Sequence, residues 1–187
     1  MVNGFLVIDK PVGISSHDVV NRVRRALGTK KVGHTGTLDP FATGVLPVAV
    51  GEGTKAIQFL DEGVKEYEAV ICLGLTTDTL DHTGTTVATA DPSCIGVELL
   101  LQSMQSLTGE INQIPPMYSA LKQGGQPLYK LARKGVEVER PSRQVTIYCF
   151  DLVSFENPLV RVRVRCSRGT YVRTLADDLG RLLGSGA

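Results

Sequence analysis

The sequence predicts an α+β fold with a mixed, largely antiparallel sheet. Two observations support this fold class. Segments with strand and helix patterns mix along the chain without the regular alternation that is typical of parallel α/β proteins, and the strand-like segments follow one another in hairpin-like pairs. The 187 residues contain no internal repeat, low-complexity segment or linker, and they suffice for one large domain or for two lobes that share a sheet.

The first elements follow from apolar spacing and from capping residues. Residues 5–8 are apolar and predict a short buried strand. Ser15 or Ser16 can cap the helix that follows, with Asp18 placed to complete a capping box, and Gly28 ends that helix. The pair Asp91-Pro92 predicts the cap and first residue of a later helix.

The remaining elements are predicted in the same way. Strands are expected at 66–75 and 144–155, and helices at 54–60, at 128–134 and from Val172 onward. Residues 159–166 alternate apolar and arginine side chains, which indicates a strand with one buried face. The arginines of the other face, which can meet phosphates or only face solvent, are Arg161, Arg163 and Arg165.

Composition and charge limit the class of protein. The chain is 42% hydrophobic and 21% charged, as is usual for soluble globular proteins. No apolar run approaches the roughly 20 residues that span a bilayer, and residues 1–5 lack the features of a signal peptide, so we expect a cytoplasmic protein without a membrane partner. The four cysteines are far apart, which indicates reduced thiols rather than a zinc site or disulfides.

The charges are unevenly distributed along the chain. Residues 1–60 and 121–187 carry net charges of +3 and +6, whereas residues 61–120 carry −8. If the two basic segments fold together they can form a basic face for nucleic acid; the alternative is a set of solvated faces.

The glycine-rich stretch at residues 33–44 is the strongest candidate for a functional loop. Three glycines indicate tight bends, and Pro40 favours an extended conformation for Asp39. A lone carboxylate on a stiff loop before the apolar run 45–50 can carry chemistry, or it can simply cap an Asx-Pro turn. The stretch matches neither the P-loop pattern nor the dinucleotide fingerprint.

Arg173 lies in the first turn of the predicted last helix, where a cation opposes the helix dipole. Either Arg173 is exposed and screened, or a carboxylate from another part of the chain, for which Asp39 is the obvious candidate, compensates its charge.

Tyr67 and Tyr171 can stack on unpaired bases or lie at the edge of a core. The group Asp78, Asp81 and His82 resembles a metal cluster, but its spacing favours a polar turn.

Several motifs together resemble the TruB family of tRNA pseudouridine synthases, over a region from about residue 3 to the end. They are Lys10-Pro11-x-Gly13-x-Ser15, the loop from Gly33 to Val48, Lys65-x-Tyr67, Leu73-Gly74 with Thr77-Asp78-Thr79-x-Asp81, the run from Ile114 to Lys122, and the run from Cys166 to Arg173. The resemblance implies two lobes with the active cleft between them, and conversion of uridine 55 in the tRNA T-loop to pseudouridine without a metal or cofactor.

The resemblance also implies roles for individual residues. Asp39 corresponds to the catalytic aspartate, Arg173 to its ion-pair partner and Tyr67 to the ring against the target base. His34 and Tyr171 correspond to substrate contacts, and Lys10 and Asp78 to neighbours of the active site. The expected partner is the T-stem-loop of tRNA, bound by a monomer.

Relatives in this family continue beyond residue 187, so residues 1–187 are expected to be a catalytic domain without its C-terminal end and without a PUA domain.

The residues themselves leave two other functions open. One is a phosphotransferase with Asp39 as acceptor, although Asp39-Pro40-Phe41 offers no second acid for Mg²⁺. The other is a protein that binds tRNA and helps it fold without catalysis.

Overall fold

The computed structural model of the chain describes residues 2–60 and 63–187. They divide into two compact units, residues 1–63 and residues 64–187. Both units combine helices with antiparallel sheets, so the predicted α+β class is confirmed. The active cleft expected between two lobes stays a prediction.

The first unit is a three-stranded antiparallel sheet with helices. Its strands, in the spatial order β1-β3-β2, are β1 (Gly4–Lys10), β2 (Val32–His34) and β3 (Gly44–Val50). Helix α1 spans Ser16–Leu27, and a 3₁₀ helix (Gly51–Ala56) leads into the short helix α2 (Ile57–Leu60).

Helix α1 begins and ends as predicted. Ser15 is its N-cap and completes a capping box with Asp18, and Gly28 follows in the left-handed conformation at φ 61°. The buried stripe of α1 packs with the inward residues of β2 and β3 into one apolar cluster. Its buried members are Val19, Val20, Val23, Val32, Leu46, Val48 and Val50.

The predicted burial of residues 5–8 is wrong, although they do form a strand. Strand β1 lies at the edge of the sheet and pairs only with β3 in the described topology. Phe5, Leu6 and Val7 are all exposed, and of residues 5–8 only Ile8 packs against the apolar cluster.

The second unit is built on a four-stranded antiparallel sheet in the order β4-β11-β10-β7. These strands are β4 (Lys65–Cys72), β7 (Gly109–Gln113), β10 (Arg143–Glu156) and β11 (Leu159–Cys166). Two short hairpins pair β5 (Leu75–Thr77) with β6 (Thr86–Thr89), and β8 (Lys122–Gln123) with β9 (Gln126–Pro127).

Strand β11 has the two faces that its alternation predicts. Its inward valines and Cys166 are fully buried in the main apolar cluster of the unit. On the outward face Arg163 lies 3.1 Å from the carboxylate of Glu68, and Arg165 lies 3.6 Å from that of Glu66. These pairs neutralise two of the three arginines and favour a solvated face over a phosphate-binding row.

The helices of the second unit are α3 (Val97–Ser106), α4 (Leu128–Ala132) and α5 (Val172–Leu182). The predicted helix start at Asp91-Pro92 is wrong, because the Asp91 carboxylate accepts hydrogen bonds from the amide and hydroxyl of Ser93 and so closes a turn. Helix α3 starts after Gly96. None of the helices within 2–60 and 63–187 combines the length and apolar character needed to cross a membrane.

Candidate functional site

The loop that carries Asp39 connects β2 to β3 and is fixed by main-chain contacts on both sides of the carboxylate. On one side the hydroxyl of Ser16 binds both main-chain groups of Leu38. On the other side the carbonyl of Pro40 accepts from the amide of Gly13 at 2.8 Å. The carbonyl of Asp39 itself accepts from the amide of Ala42 at 3.0 Å, which closes a turn. Asp39 is half-buried on this rigid support.

Lys10 lies beneath the same loop and has no exposed surface. Its ammonium donates to the carbonyls of Ile14 at 2.8 Å, Pro11 at 3.0 Å and Pro40 at 3.3 Å. Burial holds the pKa of Lys10 below its usual value, although the negative charge of Asp39 acts in the opposite direction. The cation therefore supports the loop mechanically and also favours the ionised form of the carboxylate.

His34 is the last residue of β2, where it is half-buried opposite Val48. Burial lowers the pKa of its imidazole, although the main chain of Gly36 acts in the opposite direction. A pKa below the ordinary value keeps the imidazole neutral near pH 7, so that it can both donate and accept a hydrogen bond.

Arg173 lies in the first turn of α5, as predicted, but it is not a surface residue. Its side chain is 8% exposed. The guanidinium donates to the carbonyl of Thr79 at 2.9 Å, to the carbonyl of Tyr118 at 2.9 Å and to the carboxylate of Asp81 at 3.1 Å. The alternative of an exposed, screened arginine is therefore wrong, and within the second unit Asp81 supplies a compensating carboxylate.

Asp81 is the functional candidate that sequence reasoning underestimated. One oxygen of its carboxylate accepts from the hydroxyl of Thr79 at 2.9 Å and from the amide and hydroxyl of Thr83, and the other accepts from Arg173. Burial raises the pKa of Asp81, but these hydrogen bonds and the Arg173 charge outweigh it and hold the pKa below its usual range.

The loop around Asp81 is a polar turn, as its spacing favoured. The hydroxyl of Thr77 binds both main-chain groups of Asp81, and Leu80 adopts a positive φ of 58°. The exposed Asp78 accepts from the amide of Thr85 at 2.8 Å and so closes the base of the turn. Among residues 2–60 and 63–187, no group of three or more His, Cys, Asp or Glu side chains could hold a metal ion.

Tyr171 is the N-cap of α5, two residues before Arg173, and its main chain is held by Gln113. The Gln113 side chain accepts from the amide of Tyr171 at 3.0 Å and donates to its carbonyl at 3.3 Å. Gln113 ends β7 and is 1% exposed. This buried clamp fixes the start of α5, and the only sequence signal for it is a polar residue at an inward position of a strand.

Tyr67 lies on β4 opposite Val164 of β11, half-buried, with its ring packed against the main apolar cluster. A half-buried ring keeps one part of its surface for stacking while the cluster orients the rest.

The predicted site residues thus fall into two groups. His34, Lys10 and Asp39 belong to the first unit, where Lys10 at the end of β1 donates to the carbonyl of Pro40 in the Asp39 loop. The second unit contains Tyr67, Asp78, Tyr171 and Arg173. Asp78 lies in the turn around Asp81, Gln113 holds the main chain of Tyr171, and Asp81 pairs with Arg173. The ion pair between Asp39 and Arg173 stays a prediction.

Comparisons with known proteins agree with the motifs in the sequence. A family model described as "TruB family pseudouridylate synthase (N terminal domain)" matches residues 24–172. The curated "tRNA pseudouridine synthase B" of Geobacter sulfurreducens is 58% identical over 100% of this chain and 61% of its own length. The protein of the same name from Pseudomonas aeruginosa is 53% identical over the same shares. The chain therefore spans about three fifths of the length of these curated relatives.

Solved structures also resemble this chain. A chain in a crystal structure of a Cbf5-Nop10-Gar1 complex superposes with a TM-score of 0.74 and 33% identity, over 98% of this chain and 45% of that one. A chain in an H/ACA RNP bound to a substrate RNA containing 2'-deoxyuridine gives a TM-score of 0.69 and 29% identity, over 98% and 44%.

Proposed function

The chain belongs to the TruB family of pseudouridylate synthases, and from this premise we propose that it isomerises uridine 55 in the T-loop of tRNA to pseudouridine. The observation that carries the proposal within the chain is the support of Asp39. Its loop is held at Leu38 and Pro40 by Ser16, Gly13 and Lys10. A carboxylate held in one place is a requirement for attack at a single atom of a substrate.

Asp39 acts in this proposal on the bond between the base and the ribose. Isomerisation breaks the bond from the base nitrogen to the ribose, turns the uracil and joins it again through carbon 5. A carboxylate can attack the ribose carbon or stabilise the positive charge that forms there, as carboxylates do in glycosidases. Attack on the base ring is the other route, and both routes need an ionised Asp39.

Tyr67 receives the target base after it leaves its stack. Extruding a nucleotide costs a few kcal/mol, and stacking on an aromatic ring in the pocket offsets that cost. The hydroxyl of Tyr67 is also a candidate for moving the proton from carbon 5 during rejoining. Residues His34 and Tyr171 contact the substrate in this proposal, and Lys10 and Asp78 are neighbours that shape the site.

Arg173 pairs with Asp39 in the proposed active form of the protein. The guanidinium has donors in a fixed fork, and its contacts to Asp81, Thr79 and Tyr118 already hold it in place within its own unit. A cation beside Asp39 keeps that carboxylate ionised and therefore ready to react.

The proposed catalytic domain covers residues 1–187 and acts as a monomer on the T-stem-loop, without a cofactor. A cytoplasmic location is consistent with the proposed tRNA substrate. Sedimentation of the free protein and of its complex with tRNA tests the stoichiometry, since a monomer predicts one chain for each tRNA.

Release of tritium from tRNA that contains 5-tritiated uridine tests the proposed reaction, because the new bond forms at carbon 5. We expect release by the wild-type protein and none by Asp39→Asn, which keeps the size of the side chain. Binding of tRNA by this variant should stay within about tenfold, or ~1.4 kcal/mol. The matched control is Asp9→Asn, which removes an exposed carboxylate from β1 of the same unit and should leave the rate unchanged.

Three outcomes separate the candidate functions. Substantial release by folded Asp39→Asn, free of wild-type protein, would refute the role of Asp39. Binding of tRNA without any release by the wild-type protein would favour the alternative of a tRNA-folding protein. Turnover that persists in a chelator would exclude the metal-dependent phosphotransferase.

A further inference from the structure

Ser16 has an unusual position for a residue at the start of a helix, because its hydroxyl points to the loop of Asp39 and not to the helix. The hydroxyl accepts a hydrogen bond from the amide of Leu38 at 2.9 Å and donates to the carbonyl of the same residue at 3.3 Å. Ser16 is 2% exposed. One hydroxyl therefore provides hydrogen-bond partners for both the amide and the carbonyl of Leu38, which precedes Asp39. A residue on a neighbouring antiparallel strand would supply the same two bonds.

The cap of helix α1 is formed by the preceding serine. The hydroxyl of Ser15 accepts from the amide of Asp18 at 3.1 Å, and the carboxylate of Asp18 accepts from the amide of Ser15 at 2.9 Å. Because Ser15 completes the capping box, the contact of Ser16 with Leu38 is not needed to begin the helix. The two adjacent serines therefore have separate partners.

The contact of Ser16 is one of two anchors that enclose Asp39. On the other side, Pro40 is held through its carbonyl by the amide of Gly13 at 2.8 Å and by the ammonium of Lys10 at 3.3 Å. With the main chain held at residues 38 and 40, rotation within its own side chain is the main freedom left to the Asp39 carboxylate. Loss of one anchor frees the main chain on one side of that carboxylate.

We propose that Ser16 is a positioning residue for Asp39, and this inference rests on the proposed function. Its hydroxyl fixes Leu38 and thereby the direction from which the Asp39 carboxylate approaches the substrate. In this proposal Ser16 acts through Leu38 and not on the substrate, so its removal should slow the reaction without weakening the binding of tRNA. A misplacement of about 1 Å can cost on the order of 100-fold in rate.

The test compares Ser16→Ala with Ser15→Ala in the 187-residue chain. Single-turnover rates on tRNA, tRNA affinity and thermal denaturation are measured for both. We expect Ser16→Ala to react roughly 10- to 100-fold more slowly with an affinity within about threefold of the wild type. Ser15→Ala should lose stability, as capping variants do, and keep a rate within about twofold. Rates of Ser16→Ala equal to those of the wild type would overturn the proposal.

A second variant and a second readout cover the case in which Ser16→Ala does not fold. Ser16→Cys keeps a side chain of similar size, but its thiol is a weaker donor and acceptor, so its rate should lie between those of the wild type and Ser16→Ala. Amide hydrogen exchange at Leu38 reports the contact directly. We expect exchange at Leu38 in Ser16→Ala or Ser16→Cys to be at least about tenfold faster than in Ser15→Ala, where it should rise only as far as the lost cap lowers the overall stability.

The two readouts distinguish failure of this inference from failure of the proposed function. If the wild-type protein releases no tritium but exchange at Leu38 accelerates in the Ser16 variants, the contact holds and the proposed reaction is wrong. If the wild-type protein is active and neither the rate nor the exchange responds to Ser16, the positioning role is wrong.

Discussion

Replacement of Asp81 by asparagine should destabilise the protein at neutral pH much more than in acid. The Asp81 carboxylate accepts four hydrogen bonds, one of them from Arg173, and the side chain is 8% exposed. Asparagine keeps one oxygen for the two threonines but turns an NH₂ group toward the Arg173 donor. Loss of a charge-assisted bond and of the buried pair should cost about 2–4 kcal/mol, reduced by the bonds that asparagine retains. For a chain of this length, that free energy corresponds to a fall in Tm of about 5–15 °C.

The direction of the pH dependence follows from the lowered pKa of Asp81. A carboxylate whose pKa is depressed by folding stabilises the native state above its ordinary pKa, and this stabilisation is lost as the pH falls through the lowered value. The difference in unfolding free energy between the wild type and Asp81→Asn should therefore be fully present at neutral pH and should disappear in acid. Urea denaturation at a series of pH values measures it.

A matched control for this prediction lies in the same turn. Asp78→Asn also changes a carboxylate to an amide, but Asp78 is exposed, and its carboxylate accepts a hydrogen bond from the amide of Thr85. Its cost should stay below about 1 kcal/mol, because the amide oxygen can still accept that bond. Equal losses for the two variants, or a difference that does not change with pH, would refute the reasoning about Asp81 and Arg173.

Three further predictions concern other parts of the chain. Gln113→Leu removes the two hydrogen bonds from the Gln113 side chain to the main chain of Tyr171, so the unfolding free energy measured in urea should fall by about 2–4 kcal/mol. A loss under about 1 kcal/mol would mean that these bonds are dispensable. Tyr67→Ala should weaken binding of a flipped base by roughly 1–3 kcal/mol, because the stacking ring is lost. Tyr67→Phe keeps the ring, so it should bind like the wild type but turn over slowly if the hydroxyl moves the proton. Wild-type rates in both variants would remove Tyr67 from the site. Gly180→Ala places a Cβ 2.3 Å from the amide nitrogen of Ala187, so residues 186 and 187 must shift and the Tm should fall, whereas an unchanged Tm would show that this shift costs no stability.

The elements that the sequence predicted well are those whose signals are local. The capping box and Gly28 define α1 because each contact joins residues a few positions apart. Alternation predicts β11 because a strand with one buried face repeats every two residues. The helix start at Asp91 failed for a related reason, since the same carboxylate can close a turn or cap a helix, and the side chain of Ser93 decided between them.

The site was only partly predictable because its contacts are distant in sequence. The unfavourable charge of Arg173 at a helix start left two alternatives open, an exposed arginine or a compensating carboxylate, and the sequence alone did not point to Asp81. The roles of Ser16 and Gln113 depend on which main-chain groups lie opposite them, and only the folded chain provides that information.

The sequence separation of these contacts also bears on the order in which they form while the chain is synthesised. The groups that hold the Asp39 loop lie within 30 residues of it, whereas Arg173 is held by residues that precede it by 55, 92 and 94 positions. Long chain closures cost more entropy and form later than short ones. On a ribosome, the carboxylate loop can become ordered while the chain is still short, but the arginine site cannot exist until α5 has emerged. A nascent chain that stalls before α5 emerges can therefore have an ordered Asp39 loop while the contacts of Arg173 are still missing.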